Sequence, residues 1–234
     1  MTKESYTRPP VALEQRGVSA DQRMFSPSAA RNLVPILGVL KRVLPTHGTV
    51  LEIGCGTGEH AVHFAEAMPN LTWCPSDPDS EARVSAASWI KFTGLSNVHA
   101  PLDIDVCAEA WGVEQIVPFD AIVSLNMVHI APWAASLGLF AGAGRLLCAG
   151  GLLFLYGPFM RDGKHNAPSN AEFDASLKAR NPSWGLRDIA DLERLGESSG
   201  LRLRNAIEMP SNNMSLVFAK AGGRTPTLDP VKSY

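Results

Sequence analysis

The 234-residue chain has no apolar run approaching the roughly 20 residues that a membrane span requires, which points to a soluble protein. Its four cysteines, Cys55, Cys74, Cys107 and Cys148, are scattered in or beside apolar segments without C-x-x-C spacing, and no secretory h-region precedes them. That usage argues against a disulfide framework and predicts reduced thiols in a cytoplasm. An excess of either charge is also missing. With 21 Lys and Arg against 23 Asp and Glu the net charge is −2, so no global field draws a phosphate backbone, and nucleic acid is disfavoured as a partner. Metal-ligand sets are sparse: His60 and His63 lie three apart beside Cys55, but no third and fourth ligand follow at usable spacing, so no metal is expected. Internal repeats are absent, and the length suits one sizeable domain that buries its core without staples.

What is present is an alternation of apolar runs. From Pro27 to Leu44 the apolar residues recur at helical spacing behind Ser26-Pro27, a helix-start signal. Strands are then expected at Thr49–Ile53, Leu71–Pro75, Val98–Leu102, Phe119–Leu125 and Leu152–Tyr156. Helices are expected from Gly58 to Met68, Ser80 to Phe92 and Pro132 to Cys148, with a short acidic one near Ala108–Gln115. This order predicts an α/β fold, a doubly wound parallel sheet covered on both faces. Gly157–Gly185 breaks the pattern and reads as a long functional loop with a short helical stretch. A helix over Leu186–Ser199 and two strands, Leu201–Glu208 and Met214–Lys220, close the chain as an antiparallel hairpin.

The chemistry concentrates after the first of these strands, in Glu52-x-Gly54-x-Gly56-x-Gly58. Glycine at alternate positions lets the backbone turn sharply and approach a ligand. The dinucleotide fingerprint wants its third glycine at position 59, which is Glu59, and this disfavours a nicotinamide oxidoreductase. Glu52 suits a cofactor with a cationic end and no pyrophosphate. Asp77 follows Gly54 at about the 20-residue separation of a ribose-binding acid, although it would also serve as a turn or helix cap, and Asp79 stands in reserve.

The glycine stretch resembles the first motif of the class I S-adenosylmethionine-dependent methyltransferases, and the terminal hairpin resembles their antiparallel seventh strand. Further segments carry a closer resemblance: Ser28-Ala-Ala-Arg31-Asn32, Gly58-Glu-His60-Ala-Val-His63-Phe, Asn126-Met-Val-His129-Ile-Ala-Pro132-Trp133, Tyr156-Gly-Pro-Phe159, Ser169-Asn170-x-x-Phe173-Asp174 and Trp184-Gly-Leu-Arg187-Asp188 look like the DUF938 or methyltransferase-like 26 family. The resemblance covers roughly residues 24–219. It implies a seven-stranded sheet and S-adenosylmethionine as cofactor, held by Glu52, Gly54, Gly56, Gly58 and Asp77. It also implies Asp103 beside the adenine amine, Leu102 against the base and Asn126 at the methionine end. His60, in the first turn after the glycine loop, is expected near the cofactor on its position alone. The expected organisation is a flexible arm over 1–23, one methyltransferase domain over 24–220 whose lids are the first helix and the 157–185 loop, and a flexible tail over 221–234.

Methyl transfer to a protic acceptor needs a positioned acceptor and a base. His129, just past the fourth strand, has an unperturbed pKa of about 6.5 that suits proton removal near neutrality, while a lone His there can equally be structural. Tyr156 is placed to orient an acceptor hydroxyl or amine, or to sit buried with its hydroxyl satisfied. Arg31 and Asn32 on the lid helix, Asn212 and Asn213 in the hairpin loop, and the aromatics Trp133, Phe159 and Trp184 are expected around the acceptor. The compact chain favours a small-molecule acceptor. RNA or protein methylation and a non-catalytic cofactor-binding subunit are the alternatives.

Overall fold

The computed structural model describes residues 14, 16–116 and 118–222. Most of the expected arm and tail therefore lies outside the described residues. At the inner end of the arm, Gly17–Val18 (β1) pairs antiparallel with Met24–Phe25 (β2).

Helix α1, Pro27–Val43, starts where Ser26-Pro27 predicts. The Ser26 hydroxyl accepts from Ala29 N at 3.1 Å, and Lys41 and Arg42 complement the carbonyl end. Next come β3 (Gly48–Ile53), α2 (Glu59–Ala67), β4 (Leu71–Ser76), α3 (Ser80–Thr93), β5 (Phe119–Leu125), α4 (Trp133–Leu146) and β6 (Leu147–Gly157). The remainder is β7 (Phe159–Arg161), β8 (Lys164–His165), α5 (Pro168–Arg180), β9 (Arg187–Asp188), α6 (Ile189–Ser198), β10 (Leu201–Met209) and β11 (Asn213–Lys220).

The main sheet has the order β10-β11-β6-β5-β3-β4, parallel from β6 to β4 and antiparallel at β11 and β10. Strand alternation splits the core into two layers. Leu51, Ile53, Ile122 and Leu153 pack with Leu139 and Phe140 of α4 and Leu192 of α6, whereas Val50, Ala121, Val123 and Phe154 pack with Ile36 and Leu40 of α1 and Phe64 of α2. Because β3 pairs with β4 on one side and β5 on the other, the strand order reverses at β3, and the crevice beyond the carboxyl ends of β3 and β5 is where such sheets take ligands.

Three expectations are corrected. Among the described residues the sheet has six strands, because Val98–Leu102 pairs with β4 only through two isolated bridges, Trp73 to Val98 and Ser76 to Leu102. Leu102 N donates to Pro75 O at 2.9 Å and Asp77 N to Leu102 O at 3.1 Å, but neither Pro75 nor Pro101 has an N–H to give, so the ladder is interrupted between the two bridges. The acidic helix near Ala108–Gln115 is a run of turns, in which side chains take the amides a helix would use: Asp105 accepts from Cys107 N and Glu114 from Trp111 N. The segment read as a loop over 157–185 has its expected helical stretch as α5, but it also carries β7 and β8, which join β9 in a three-stranded sheet of order β8-β7-β9. Buried Asp174 of α5 ties it together, accepting from His165 Nε2 (3.1 Å), Lys178 Nζ (2.7 Å) and Leu186 N (2.8 Å).

Candidate active site

The strand ends open on a cavity of about 1110 Å³. The turn from β3 supplies its floor, with Gly54, Cys55, Gly56 and Thr57 lining it. Gly58 stands behind them and starts α2. Its φ is 85°, and a Cβ there would lie 2.5 Å from the Ala86 Cα of α3, so only glycine lets the two helices meet.

Asp77, just past β4, lines the cavity with its carboxylate already oriented: Oδ2 accepts from Gly56 N and Oδ1 from Asp79 N, both at 3.0 Å. The capping role falls to Asp79, which accepts from Glu81 N at the start of α3. Glu52, 1% exposed, takes the indole Nε1 of Trp73 at 2.6 Å. Burial lifts its carboxyl to about 7; the Trp73 bond opposes this rise and Asp77 adds to it. Leu102 and Asp103 do not line the cavity. Asp103 is exposed and paired with Arg83 of α3 at 3.1 Å, and the next residues, Ile104 and Asp105, line the cavity instead.

Asn126, Met127 and His129 reach the cavity from the turn after β5, where Asn126 adopts a left-handed φ of 58°. His129 is 1% exposed, and neither ring nitrogen has a hydrogen-bond partner. Burial first, and the Arg187 charge second, push its pKa down to about 3, against a smaller opposing pull from Asp174. The expectation of a base titrating near neutrality is thus corrected: the ring is neutral throughout the physiological range. Its turn is clamped from outside by Arg187, whose Nε donates to Val128 O (2.9 Å) and Nη2 to Ala131 O (2.6 Å), while Gly185 N donates to His129 O (3.0 Å).

Lid helix α1 joins the cavity through Arg31 and Asn32. Asn32 Oδ1 lies 2.8 Å from Nε2 of His60, and the same side chain hydrogen-bonds Tyr156. Burial lowers His60 to about 4 and raises Tyr156 to about 12, so the pair meets a ligand as neutral imidazole and phenol. On the far side, Asn212 and Asn213 line the cavity beside Ser169, Asn170 and Phe173 of α5. Asn170 Nδ2 donates to Asn212 O at 2.9 Å and Asn212 Nδ2 to Ser169 Oγ at 3.2 Å, stitching the hairpin loop to the lid.

The expected aromatic wall is differently built. Phe159 is fully buried, its ring edge-on to His129 at 4.9 Å between centroids, and Trp133 stands under the Arg187 guanidinium at 5.6 Å; neither lines the cavity. Trp184 is buried with Leu177 and Leu186 in the lid core. Phe173 and Tyr156 are the aromatics that face the cavity. Sequence reasoning misses Ser169, Asn170 and Phe173 as lining residues although the family resemblance rests partly on that segment. It has no signal for Glu14 and Arg16, which also line the cavity. Among the described residues no three His, Cys, Asp or Glu side chains group to hold a metal, and no helix is long and apolar enough to cross a membrane.

The family described as "Protein of unknown function (DUF938)" matches residues 23–220. The chain belongs to the DUF938 family. Its fold is that of class I S-adenosylmethionine-dependent methyltransferases, as solved structures of that fold superpose on this DUF938 chain. An O-methyltransferase family protein from Burkholderia thailandensis aligns with TM-score 0.71 at 17% identity, covering 84% of this chain and 58% of its own. CalO1, a methyltransferase in calicheamicin biosynthesis in its SAH-bound form, aligns with TM-score 0.63 at 22% identity, covering 83% and 54%. The mitomycin 7-O-methyltransferase MmcR aligns with TM-score 0.67 at 16% identity, covering 83% and 55%. The DUF938 chain thus spans little more than half the length of these neighbours.

Proposed function

We propose that the protein is an S-adenosylmethionine-dependent methyltransferase acting on a small molecule with a protic acceptor atom. One observation carries the reading: His129, buried with two unpartnered ring nitrogens, shares a cavity with the glycine turn and the oriented Asp77 carboxylate. Unsatisfied buried polar atoms are costly unless a ligand completes them.

The residues present fit the cofactor. The backbone of Gly54–Thr57 leaves room for close approach, Asp77 offers a pinned carboxylate to ribose hydroxyls, and Glu52 offers charge to an ammonium. When bound, S-adenosylmethionine supplies an electrophilic sulfonium methyl. His129, held neutral and too weak a base to keep the proton, accepts the acceptor's O–H or N–H hydrogen bond at a ring nitrogen and so aims the acceptor's lone pair, the proton leaving to water once the acceptor is methylated. The Tyr156 phenol, held by Asn32, orients the same group, with Arg31, Asn212 and Asn213 at the acceptor's outer edge. The neighbours in natural-product methylation and the net charge of −2 favour a small acceptor over a nucleic acid.

Incubating the protein and radiolabelled methyl donor in parallel with a metabolite extract, total RNA and a protein lysate tests this. Label in the metabolite fraction is expected. Label confined to RNA or protein overturns the small-molecule acceptor, and S-adenosylhomocysteine binding without any label leaves a cofactor-binding subunit. Tight NADH binding with no response to S-adenosylhomocysteine rejects the methyltransferase reading altogether.

A further inference from the structure

Arg16 precedes the β1–β2 hairpin and lines the same cavity as the glycine turn. A Cβ built on Gly56 would lie 3.9 Å from its Nη2, so the guanidinium stands directly over the turn. Its Nε is buried and has no hydrogen-bond partner. A guanidinium N–H withdrawn from water and left unpaired is unfavourable, and its planar fork suits a carboxylate.

The segment carrying Arg16 is fastened on both sides of the cavity. On one side Met24 N donates to Ser85 Oγ (2.8 Å) and Trp89 Nε1 to Met24 O (2.9 Å), and the Arg23 guanidinium lies 3.5 Å from the Phe92 ring centre. On the other, Glu14 takes Ser28 N (3.0 Å) and the Ser28 hydroxyl (2.7 Å) at the start of α1. The lining is otherwise rich in acid near this end: Glu52, Asp77, Asp79, Glu81 and Asp105. Among the described residues the lining Arg and Lys residues are Arg16 and Arg31; Arg31 is exposed with its charge set against Glu14, and the charge of Arg16 also acts on Glu59 of α2, which does not line the cavity.

We infer that Arg16 binds the α-carboxylate of the cofactor's amino-acid end, so that the strand-and-strap segment before α1 completes the cofactor site. This rests on the methyltransferase reading above. That cofactor carries an ammonium and a carboxylate on one carbon; Glu52 lies under the turn, and Arg16 over it supplies the opposite sign.

Calorimetry with two ligands separates this role from others. S-adenosylhomocysteine has the carboxylate, and 5′-methylthioadenosine has the same nucleoside and sulfur without the amino-acid end. Arg16→Ala is expected to weaken S-adenosylhomocysteine at least tenfold while leaving 5′-methylthioadenosine within twofold, with Arg16→Lys intermediate and thermal melts unchanged. Equal loss for both ligands would mean that Arg16 only holds the strap in place. An unchanged S-adenosylhomocysteine affinity would mean that it faces another group, and either result overturns the inference. If the wild-type protein binds 5′-methylthioadenosine but not S-adenosylhomocysteine, the carboxylate subsite fails while a nucleoside site stands. If it binds neither, the functional reading fails and the inference with it.

Discussion

The indole Nε1 of Trp73 donates to Oε2 of Glu52 at 2.6 Å, inside the sheet and beneath the glycine turn. Burial outweighs this bond and sets the Glu52 carboxyl at about 7 instead of 4.5. Between those values the folded protein binds more protons than the unfolded chain, so this group's contribution to stability is full below about 4.5 and lost as pH rises through 7. The full span corresponds to ~3 kcal/mol. Glu52→Gln is therefore expected to gain stability relative to wild type between pH 5 and pH 8, measured by urea denaturation at both.

An ammonium next to Glu52 would favour its ionised form. S-adenosylhomocysteine affinity in the wild type is thus expected to rise with pH up to about 7 and level off, and Glu52→Gln to flatten that rise. Titration calorimetry in buffers of different ionisation enthalpy checks it through the protons released on binding.

Asp77, pinned by Gly56 N and Asp79 N, is expected to give the largest single loss of cofactor affinity. Asp77→Ala removes a charge-assisted acceptor and should weaken S-adenosylhomocysteine by roughly 1.5–3 kcal/mol. A loss shared equally with melting temperature would assign Asp77 to the turn alone.

His129 shifts in the opposite sense to Glu52. Its folded pKa of about 3 lies below the unfolded value of 6.5, so its contribution is full above 6.5 and is lost as pH falls toward 3, at about 1.4 kcal/mol per unit. His129→Asn is expected to narrow the stability gap between pH 7.5 and pH 5 while lowering turnover about 100-fold, with cofactor affinity within threefold. The wild-type activity profile should show no acidic limb centred on 6.5.

Gly157 ends β6 at φ 154°, and a Cβ on it would lie 2.3 Å from Nε2 of His129. Gly157→Ala must turn or displace the ring. Turnover is expected to fall by at least tenfold with S-adenosylhomocysteine affinity kept within about threefold, a split that steady-state kinetics and calorimetry read together.

Much of the fold is legible because the signals are local. Ser26-Pro27 starts α1 at the expected residue, Phe119–Leu125 is a strand over the expected span, and Gly54 to Gly58 forms the turn at the strand end. Missing backbone donors at Pro75 and Pro101 interrupted one strand, a loss visible in the sequence only once both prolines are known to lie between the two bridges that join these segments.

By itself the sequence determined the alternation of strands and helices, the glycine turn and the positions of Asp77, Asn126 and His129 just past their strands, since capping, periodicity and turn chemistry act over a few residues. Tertiary structure decided which side chains face the cavity and in what charge state. Arg83 captures Asp103, Trp133 turns under Arg187, Trp73 takes Glu52, and the strap brings Arg16 over Gly56. His129 is neutral because the fold buries it against Phe159 and beside Arg187, and desolvation by distant segments leaves no trace in the residues around it.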